Sequence, residues 1–381
     1  MIKRLITPFL ASSRKSILLL GPRQTGKSTL IKQLDPEIQI NLADQAVFTR
    51  FLGDPGLLRR SVGLSKSIMI DEIQRIPSLL NTVQALIDEN KERRFFLTGS
   101  SARKLRRGEA NLLPGRIHSY SLGPLIPLEL EENFDEIKAC RRGLLPDPYL
   151  EVDERSWQKT LRTYAATYLR EEIQAEALTR NLEGFSRFFN VAAAWSGDFL
   201  DFAKMSSLAS IERTSAKRYF EILEDTLIAY RLEAFAKSEK VRLIQHPRFY
   251  FFDVGVLNGV MGNFTVSPDR LGRLWEHLVI QTIRATAQAL DKDVRMSVFR
   301  TAGGAEVDLI LEDGSDLFAI EIKAAKKVSA MDFRGFAAFS GFVGKRKHRA
   351  FVVSMDERVQ EFDAGLAIPL AKLWAHLGWK R

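Results

Sequence analysis

The sequence predicts an α/β fold, and three features of its 381 residues lead to this class. Short apolar runs with the length of buried strands alternate with amphipathic stretches of helical period. A glycine-rich loop follows the first apolar run, residues 16–20, and leads into a helix. A second apolar run, residues 67–70, is followed by two carboxylates. At this length we expect two or three domains.

The composition alone excludes several classes of protein. Hydrophobic residues make up 45% of the chain, and the single cysteine excludes a disulfide framework and a cysteine-rich zinc site. No apolar run reaches the roughly 20 residues that span a membrane, and residues 1–16 lack the apolar core of a signal peptide. We therefore expect a cytoplasmic protein with no membrane partner. The N-terminal side chains expected to pack onto the first domain are Leu5, Ile6, Pro8, Phe9 and Leu10.

The loop at residues 21–29 has the pattern G-x-x-x-x-G-K-S/T between a strand and a helix, which is typical of a phosphate-binding loop. Glycines let the backbone wrap around a phosphate, and the loop N–H groups with the helix N-terminus attract its charge. Lys27 would reach the β- and γ-phosphates of ATP, and the hydroxyl of Ser28 would ligate Mg²⁺. The predicted ATP-binding residues are Gly21, Gln24, Thr25, Gly26, Lys27, Ser28 and Thr29.

Asp71 and Glu72 come directly after the apolar run at residues 67–70. In an open α/β sheet, ligands bind at the carboxyl ends of the strands. We expect Asp71 to hold Mg²⁺ through water and Glu72 to polarise the water that attacks the γ-phosphate. After a predicted helix at residues 77–89, a further apolar strand at residues 94–99 also ends in polar side chains.

Four segments of the chain resemble one known family. The phosphate-binding loop, residues 70–74, residues 97–100 and residues 114–116 are similar to those of AAA-type ATPases of bacteria and archaea. Members of that family carry a C-terminal domain of unknown function, and the resemblance extends over most of the chain. It implies that Thr98, with Ser100 as second choice, contacts the γ-phosphate region. A serine here could equally cap the following helix.

The same resemblance implies an arginine finger, a side chain that reaches into the ATP site of a neighbouring subunit. Arg116 occupies the matching place, and Arg106 or Arg107 could substitute for it. The alternative for Arg116 is a surface ion pair with an acidic residue. An intersubunit finger implies a homo-oligomer, with a ring as the expected form.

Basic residues are concentrated in the nucleotide-binding part of the chain. Residues 1–125 contain 20 Lys and Arg against 10 Asp and Glu, whereas the remaining 256 residues contain 36 against 37. A basic face indicates a polyanionic partner, and DNA is the first candidate. The alternative is that these side chains serve ATP and a subunit interface.

Residues 184–235 predict a helical unit that follows an acidic linker. The helix that begins near residue 213 places Arg213 and Lys217 on a polar face, with Ala216 directed towards a core. This layout is typical of a helix-turn-helix with a recognition helix, and residues 227–232 would form the first strand of a wing. The alternative is a winged-helix module that packs against protein rather than DNA. No role is assigned to Arg170, upstream of this unit.

Two apolar runs near the C-terminus, residues 304–311 and 317–323, flank turn residues and predict a β-hairpin. Asp308 lies on the first strand, and Glu321 and Lys323 share one face of the second. Together with an acidic residue on the preceding helix, this order resembles the core of the PD-(D/E)xK nuclease fold.

The second resemblance implies Mg²⁺-dependent cleavage of DNA. Glu276, Asp308 and Glu321 would hold Mg²⁺, and Lys323 would stabilise or deprotonate the attacking water, so Asp308, Glu321 and Lys323 are the candidate catalytic residues. Val307 stands where that family has proline, which does not exclude activity. Two alternatives stay open, namely an ordinary surface hairpin and a nuclease-like fold without activity.

We therefore predict three parts. Residues 1–128 form a P-loop AAA-type ATPase core, residues 129–235 a linker and a helical winged-helix-like module, and residues 236–381 a restriction-endonuclease-like α/β domain. The predicted function is ATP hydrolysis by a protein that binds and remodels or processes DNA. The alternative is a signalling or protein-remodelling ATPase whose C-terminal domain is catalytically inactive.

Overall fold

The computed structural model describes residues 2–54, 56–100, 113–175, 181–236 and 246–379, and for residues 168–175 it describes the backbone alone. The chain forms two compact units. The first unit contains residues 1–125 and 222–228, and the second contains residues 126–221 and 229–381. Arg106, Arg107 and the side chain of Arg170 lie outside the described residues. The three-part division stays a prediction.

A parallel sheet forms the centre of the first unit. Its strands are β1 (Ser16–Leu20), β2 (Ile38–Asn41), β3 (Ser67–Asp71), β4 (Arg94–Gly99) and β5 (Ile117–Ser121). They lie in the order β2-β3-β4-β1-β5, and every neighbouring pair is parallel. Because β4 lies between β1 and β3, the carboxyl ends of these three strands meet at one edge of the sheet. This arrangement is consistent with a P-loop ATPase-like core.

Helices accompany this sheet along the first unit. They are α1 (Thr7–Ser12), α2 (Lys27–Lys32), α3 (Gln45–Gly53), α4 (Leu57–Val62) and α5 (Leu79–Glu89), with a 3₁₀ turn at Ile73–Arg75.

Two clusters of buried apolar side chains pack in the first unit. Ile70 belongs to one cluster, and its neighbour on the strand, Met69, belongs to the other, because successive side chains of a strand point to opposite faces. Ile6 and Leu10 are fully buried in the cluster that contains Met69. The expected packing of the N-terminal segment is therefore confirmed for Ile6 and Leu10, whereas Phe9 is 37% exposed.

The second unit contains a mixed sheet of eight strands. They are β6 (Ala229–Ala234), β7 (Arg248–Phe251), β8 (Val294–Arg300), β9 (Glu306–Asp313), β10 (Asp316–Lys323), β11 (Arg349–Ser354), β12 (Gln360–Phe362) and β13 (Gly365–Pro369). Their order is β12-β13-β11-β10-β9-β8-β6-β7.

Helices lie before, between and after these strands. They are α6 (Pro127–Leu130), α7 (Glu136–Arg142), α8 (Pro146–Leu150), α9 (Glu154–Ala175), α10 (Leu182–Ala194), α11 (Phe202–Leu208), α12 (Arg213–Asp225), α13 (Val254–Met261), α14 (Pro268–Ala289), α15 (Arg334–Val343) and α16 (Leu370–His376), with 3₁₀ turns at Glu131–Asn133 and Ala330–Phe333.

The predicted hairpin is confirmed. Strands β9 and β10 are antiparallel, Asp313 lies opposite Asp316, and Gly314 in the turn has a φ of 60°. A positive φ costs little at glycine and is strained at most other residues, which explains why glycine stands at this turn. The hairpin fixes the positions of Asp308 and Glu321, which lie on its two strands.

Three helices, α10 to α12, precede β6 and β7. Helix α12 exposes Arg213 and Lys217 and buries Ala216 and Phe220, as its helical pattern predicts. Strand β6 pairs with β7 and also with β8, so both strands belong to the sheet that contains the hairpin. That residues 184–235 form a winged-helix-like module stays a prediction. Within the described ranges, no helix has both the length and the apolar character needed to cross a membrane.

Candidate functional site

The phosphate-binding loop joins β1 to α2 at the edge where β1, β3 and β4 end. Two of its residues have positive φ, Gln24 at 62° and Gly26 at 93°, so the loop turns back on itself before the helix begins. A Cβ atom on Gly21 would lie 2.2 Å from the carbonyl oxygen of Leu122, which leaves no room for a side chain. Both glycines of the motif are therefore required by the backbone.

Lys27 points into this loop. Its side chain is buried, and its Nζ donates hydrogen bonds to the carbonyl oxygens of Gly21 and Pro22, each at 2.8 Å. Thr25 closes the same turn, because its hydroxyl donates to the carbonyl oxygen of Pro22 at 2.9 Å. The ammonium group thus lies at the loop, and a phosphate bound there would compete with these carbonyls for its three N–H donors.

Asp71 links the loop to the ends of β3 and β4. The hydroxyl of Ser28 donates to Oδ1 of Asp71 at 2.9 Å, and the hydroxyl of Thr98 donates to the same oxygen. Thr98 also accepts a hydrogen bond from the backbone N–H of Glu72 at 3.2 Å. A hydroxyl and a carboxylate side by side are oxygen ligands of the type that Mg²⁺ prefers. The residues present therefore fit the expected Mg²⁺ site.

Glu72 lies next to this group in a strained backbone conformation. Its φ is 57°, in the left-handed region that costs a non-glycine residue about 1 kcal/mol or more. Gln74, in the following 3₁₀ turn, donates through Nε2 to the Glu72 carboxylate and to the Ser100 hydroxyl, the latter at 3.0 Å. Ser100 is itself 3.4 Å from Oε2 of Glu72. Strained backbone with supported side chains is typical of functional sites.

Gln74 is a site residue to which sequence reasoning gave no role, although it belongs to the segment that carries the family resemblance. The feature of the sequence that could have identified it is its position two residues after Glu72, the predicted catalytic carboxylate, within a short turn. The side chain is buried, and its Oε1 has no hydrogen-bond partner among the described residues. Ser100, the second choice for contact with the γ-phosphate region, contacts the Glu72 carboxylate, whereas Thr98, the first choice, contacts Asp71.

Arg4 is a second residue that the sequence did not single out. Its Nη1 donates to the carbonyl oxygen of Thr25 at 2.7 Å, and its Nη2 donates to the carbonyls of Gly123 and Pro124 at 2.9 and 3.0 Å. The buried guanidinium therefore ties the phosphate-binding loop to the segment that follows β5. No local pattern marks an isolated arginine near the N-terminus for this position.

Arg116, the predicted arginine finger, forms an ion pair with Asp88 at the end of α5. Its Nη2 lies 2.8 Å from Oδ2 and its Nε lies 3.0 Å from Oδ1, so the two groups meet in a bidentate arrangement. Hydrogen bonds from Arg116 and Lys91 lower the pKa of Asp88 to about 2. This pairing is the alternative that the sequence left open, and the finger stays a prediction.

The second predicted set lies on α14, β9 and β10. Glu276 accepts hydrogen bonds from Tyr250 at 2.6 Å and from Arg248 at 3.1 Å, and Nη1 of Arg248 is also 3.6 Å from Asp308. Burial, together with the charge of Asp308, raises the pKa of Glu276 to about 7. Within the described part of the chain, no cluster of three or more Asp, Glu, His or Cys side chains is arranged to hold a metal ion.

The hairpin end of this set contains an ion pair. Glu321 contacts Lys323 at 2.8 Å, and Asp308 accepts a hydrogen bond from the backbone N–H of Ile322 at 2.9 Å. Burial and the nearby charge of Asp308 raise the pKa of Glu321 to about 7. Arg248, which contacts Glu276 and Asp308, belongs to the same cluster. The sequence did not single it out, because it is marked only as an arginine at the start of an otherwise apolar strand.

Residues 13–131 match the model of an AAA domain. The first region of the chain is therefore similar to AAA-type ATPase domains. Two domains of unknown function match residues 134–267 and 271–373. The match to the AAA domain includes the loop at residues 21–29, Asp71, Glu72, Thr98 and Arg116.

The chain is also similar to two uncharacterised proteins. It is 28% identical over 317 residues to uncharacterised proteins of Mycobacterium tuberculosis and Mycobacterium bovis, over 81% of this chain and 70% of each relative. A solved structure of a Vibrio cholerae protein aligns with 95% of this chain and 97% of its own at 12% identity, with a TM-score of 0.23.

Proposed function

We propose that the protein is a Mg²⁺-dependent ATPase that hydrolyses ATP at the phosphate-binding loop. The observation that carries this proposal is the shared contact of Ser28 and Thr98 with one carboxylate oxygen of Asp71, beside the supported carboxylate of Glu72. When bound, Mg²⁺ would neutralise phosphate charge, and Ser28 and Asp71 would hold it.

The remaining side chains have separable roles in this proposal. The ammonium group of Lys27 would exchange its hydrogen bonds to the loop carbonyls for hydrogen bonds to the phosphate oxygens. Glu72 would accept a hydrogen bond from the attacking water and so orient it towards the γ-phosphate. Gln74 and Ser100 would hold the Glu72 carboxylate in that direction.

The experiment that tests the ATPase is phosphate release by the full chain at varied Mg²⁺. Lys27→Ala should abolish turnover, and Glu72→Gln should abolish turnover while nucleotide still binds. Lys32→Ala is a matched control, because Lys32 is an exposed lysine on the same helix. A Lys27→Ala chain that hydrolyses ATP as fast as the unchanged protein would contradict the proposal.

We further propose that DNA is the partner on which the ATPase acts, in remodelling or processing it. The support is the excess of basic residues in residues 1–125 and the exposed Arg213 and Lys217 on α12. Turnover should be measured with single-stranded, duplex and branched DNA, and binding should weaken steeply as salt is raised. Replacing Arg213 and Lys217 together by alanine should weaken binding, whereas Glu221→Gln on the same helix should not.

A protein-remodelling or signalling ATPase is the alternative class. Turnover that no form of DNA stimulates, together with binding that does not depend on salt, would favour this class over a DNA-acting ATPase.

We also propose a homo-oligomer, with Arg116 supplied to the ATP site of a neighbouring subunit. The support is the match of residues 13–131 to an AAA domain and the place of Arg116 within it.

A further inference from the structure

Arg248 lies at the start of β7, and its guanidinium group lies among three carboxylates. Nη1 is 3.1 Å from Oε1 of Glu276 and 3.6 Å from Oδ1 of Asp308, and Nη2 contacts Oε1 of Glu306. The three carboxylates come from α14 and β9. The Arg248 side chain is only 12% exposed, so these contacts are made in a largely buried place.

Aromatic packing also holds the guanidinium. Its carbon atom lies 5.0 Å from the ring centre of Phe199, and Arg300 contacts the same ring at 4.8 Å. A cation within about 6 Å of an aromatic face is attracted to it. Arg248 is thus fixed by its carboxylate partners and by the ring of Phe199.

The carboxylates have other partners besides Arg248. The Tyr250 hydroxyl donates to Glu276 at 2.6 Å, and the N–H of Ile322 donates to Asp308 at 2.9 Å. Lys323 contacts Glu321 at 2.8 Å. Each carboxylate that the nuclease resemblance assigns to Mg²⁺ therefore already has at least one oxygen in contact with a donor or a cation of the protein itself.

A divalent cation would have to bind these oxygens at a shorter distance than the nitrogen and hydroxyl donors that contact them now. Mg²⁺ takes oxygen ligands at about 2.1 Å in near-octahedral geometry. Arginine stays charged in proteins, so its guanidinium cannot lose a proton to make way for the metal. An incoming ion would have to displace a largely buried arginine from Glu276, Glu306 and Asp308 together, against like-charge repulsion.

We infer that Arg248 takes the place of the divalent cation in this carboxylate cluster, so the second unit does not bind Mg²⁺ there. The group that a PD-(D/E)xK nuclease requires does not fit the residues as they lie. Glu276, Asp308 and Glu321 then act as structural partners of Arg248 and Lys323, and they join β7, α14 and the hairpin. Any effect of the second unit on DNA would be binding and not metal-dependent cleavage.

The experiment measures Mn²⁺ binding to the full chain by calorimetry, with Mn²⁺ as the probe. Asp71→Asn and Ser28→Ala form the background, because they remove the Mg²⁺ site expected at the phosphate-binding loop. In this background we expect no Mn²⁺ binding that depends on Asp308. Adding Arg248→Met should create a single Mn²⁺ site, and adding Asp308→Asn to that protein should remove it.

Two results would overturn the inference. One is Mn²⁺ binding to the background protein that is lost on Asp308→Asn, since the cluster would then accept a metal with Arg248 in place. The other is a folded Arg248→Met protein without a new site, since something other than Arg248 would then exclude the ion. If Arg248→Met does not fold, the comparison of the background protein with and without Asp308→Asn still decides the question.

Discussion

Nη1 of Arg4 lies 2.7 Å from the carbonyl oxygen of Thr25, so a side chain near the N-terminus holds the backbone of the phosphate-binding loop. The same guanidinium reaches the carbonyls of Gly123 and Pro124. A buried carbonyl without a donor costs roughly 1–3 kcal/mol, so this arginine stabilises three segments at once.

We predict that Arg4→Met weakens nucleotide binding. The loop would lose the donor at Thr25, and the loop conformation that Arg4 holds would become less favoured, so the Kd for ATP should rise by about tenfold, equivalent to about 1.4 kcal/mol. The measurement is titration with a fluorescent ATP analogue, together with the melting temperature. Lys3→Met is the control, because the neighbouring Lys3 is exposed. Equal affinity in the Arg4→Met and Lys3→Met proteins would contradict this role.

Gln74 gives a prediction that separates catalysis from binding. Its Nε2 supports the Glu72 carboxylate, and a hydrogen bond to a charged group is worth about 1.5–3 kcal/mol. Gln74→Ala should therefore lower kcat by about tenfold or more while the Kd for ATP changes little. Single-turnover phosphate release and nucleotide titration measure the two quantities separately. Gln39→Ala, at an exposed glutamine on β2, serves as the control. A parallel change in kcat and Kd would show that Gln74 acts on the loop as a whole.

Local patterns predicted the parts of the site that depend on neighbours in the chain. The loop at residues 21–29, Asp71 and Glu72 belong to short motifs that end strands, and the hairpin follows from its turn residues. Arg4 and Arg248 were missed because their partners are distant in sequence, 119 residues away for Gly123 and 58 for Glu306. Strand alternation likewise does not reveal that β4 lies between β1 and β3. Such pairings depend on tertiary packing rather than on local propensity.

His277 leads to a prediction about acid stability. Its Nε2 lies 2.6 Å from the carbonyl oxygen of Phe251, so this nitrogen carries the proton, and Nδ1 has no hydrogen-bond partner in the described part of the chain. Burial lowers the pKa of His277 to about 4, below the value of about 6.5 in an unfolded chain. The folded state therefore binds fewer protons at mildly acidic pH. Its stability is fully present above pH 6.5 and falls as the pH decreases towards 4.

The size of this effect follows from the difference in pKa. A shift of one unit is worth 1.36 kcal/mol, so the loss amounts to on the order of 3 kcal/mol by about pH 4. His277→Gln can still donate to Phe251 but does not titrate. Urea unfolding at pH 4.5 and 7.5 should thus show a smaller difference for His277→Gln than for the unchanged protein. His376→Gln, a substitution on α16 at a histidine that is not fully buried, is the control. Equal pH dependence in all three proteins would exclude His277 as the cause.

Arg116 and Asp88 allow a test of the proposed intersubunit site. If Arg116 serves only its ion pair with Asp88, then Arg116→Ala and Asp88→Ala should have similar small effects on ATP turnover. If Arg116 is an arginine finger, Arg116→Ala should lower turnover by 10³-fold or so, and Asp88→Ala should not. We expect the second result, because residues 13–131 match an AAA domain.

Mixing two inactive variants shows whether the finger acts between subunits. Lys27→Ala removes the ATP site but keeps Arg116, and Arg116→Ala keeps the ATP site but removes the finger. In a mixed oligomer, a Lys27→Ala subunit would supply Arg116 to the intact site of its neighbour, so turnover should rise above that of either variant alone. If turnover stays at the level of the separate variants although the chains exchange between oligomers, Arg116 does not act between subunits. Its role would then be the ion pair with Asp88.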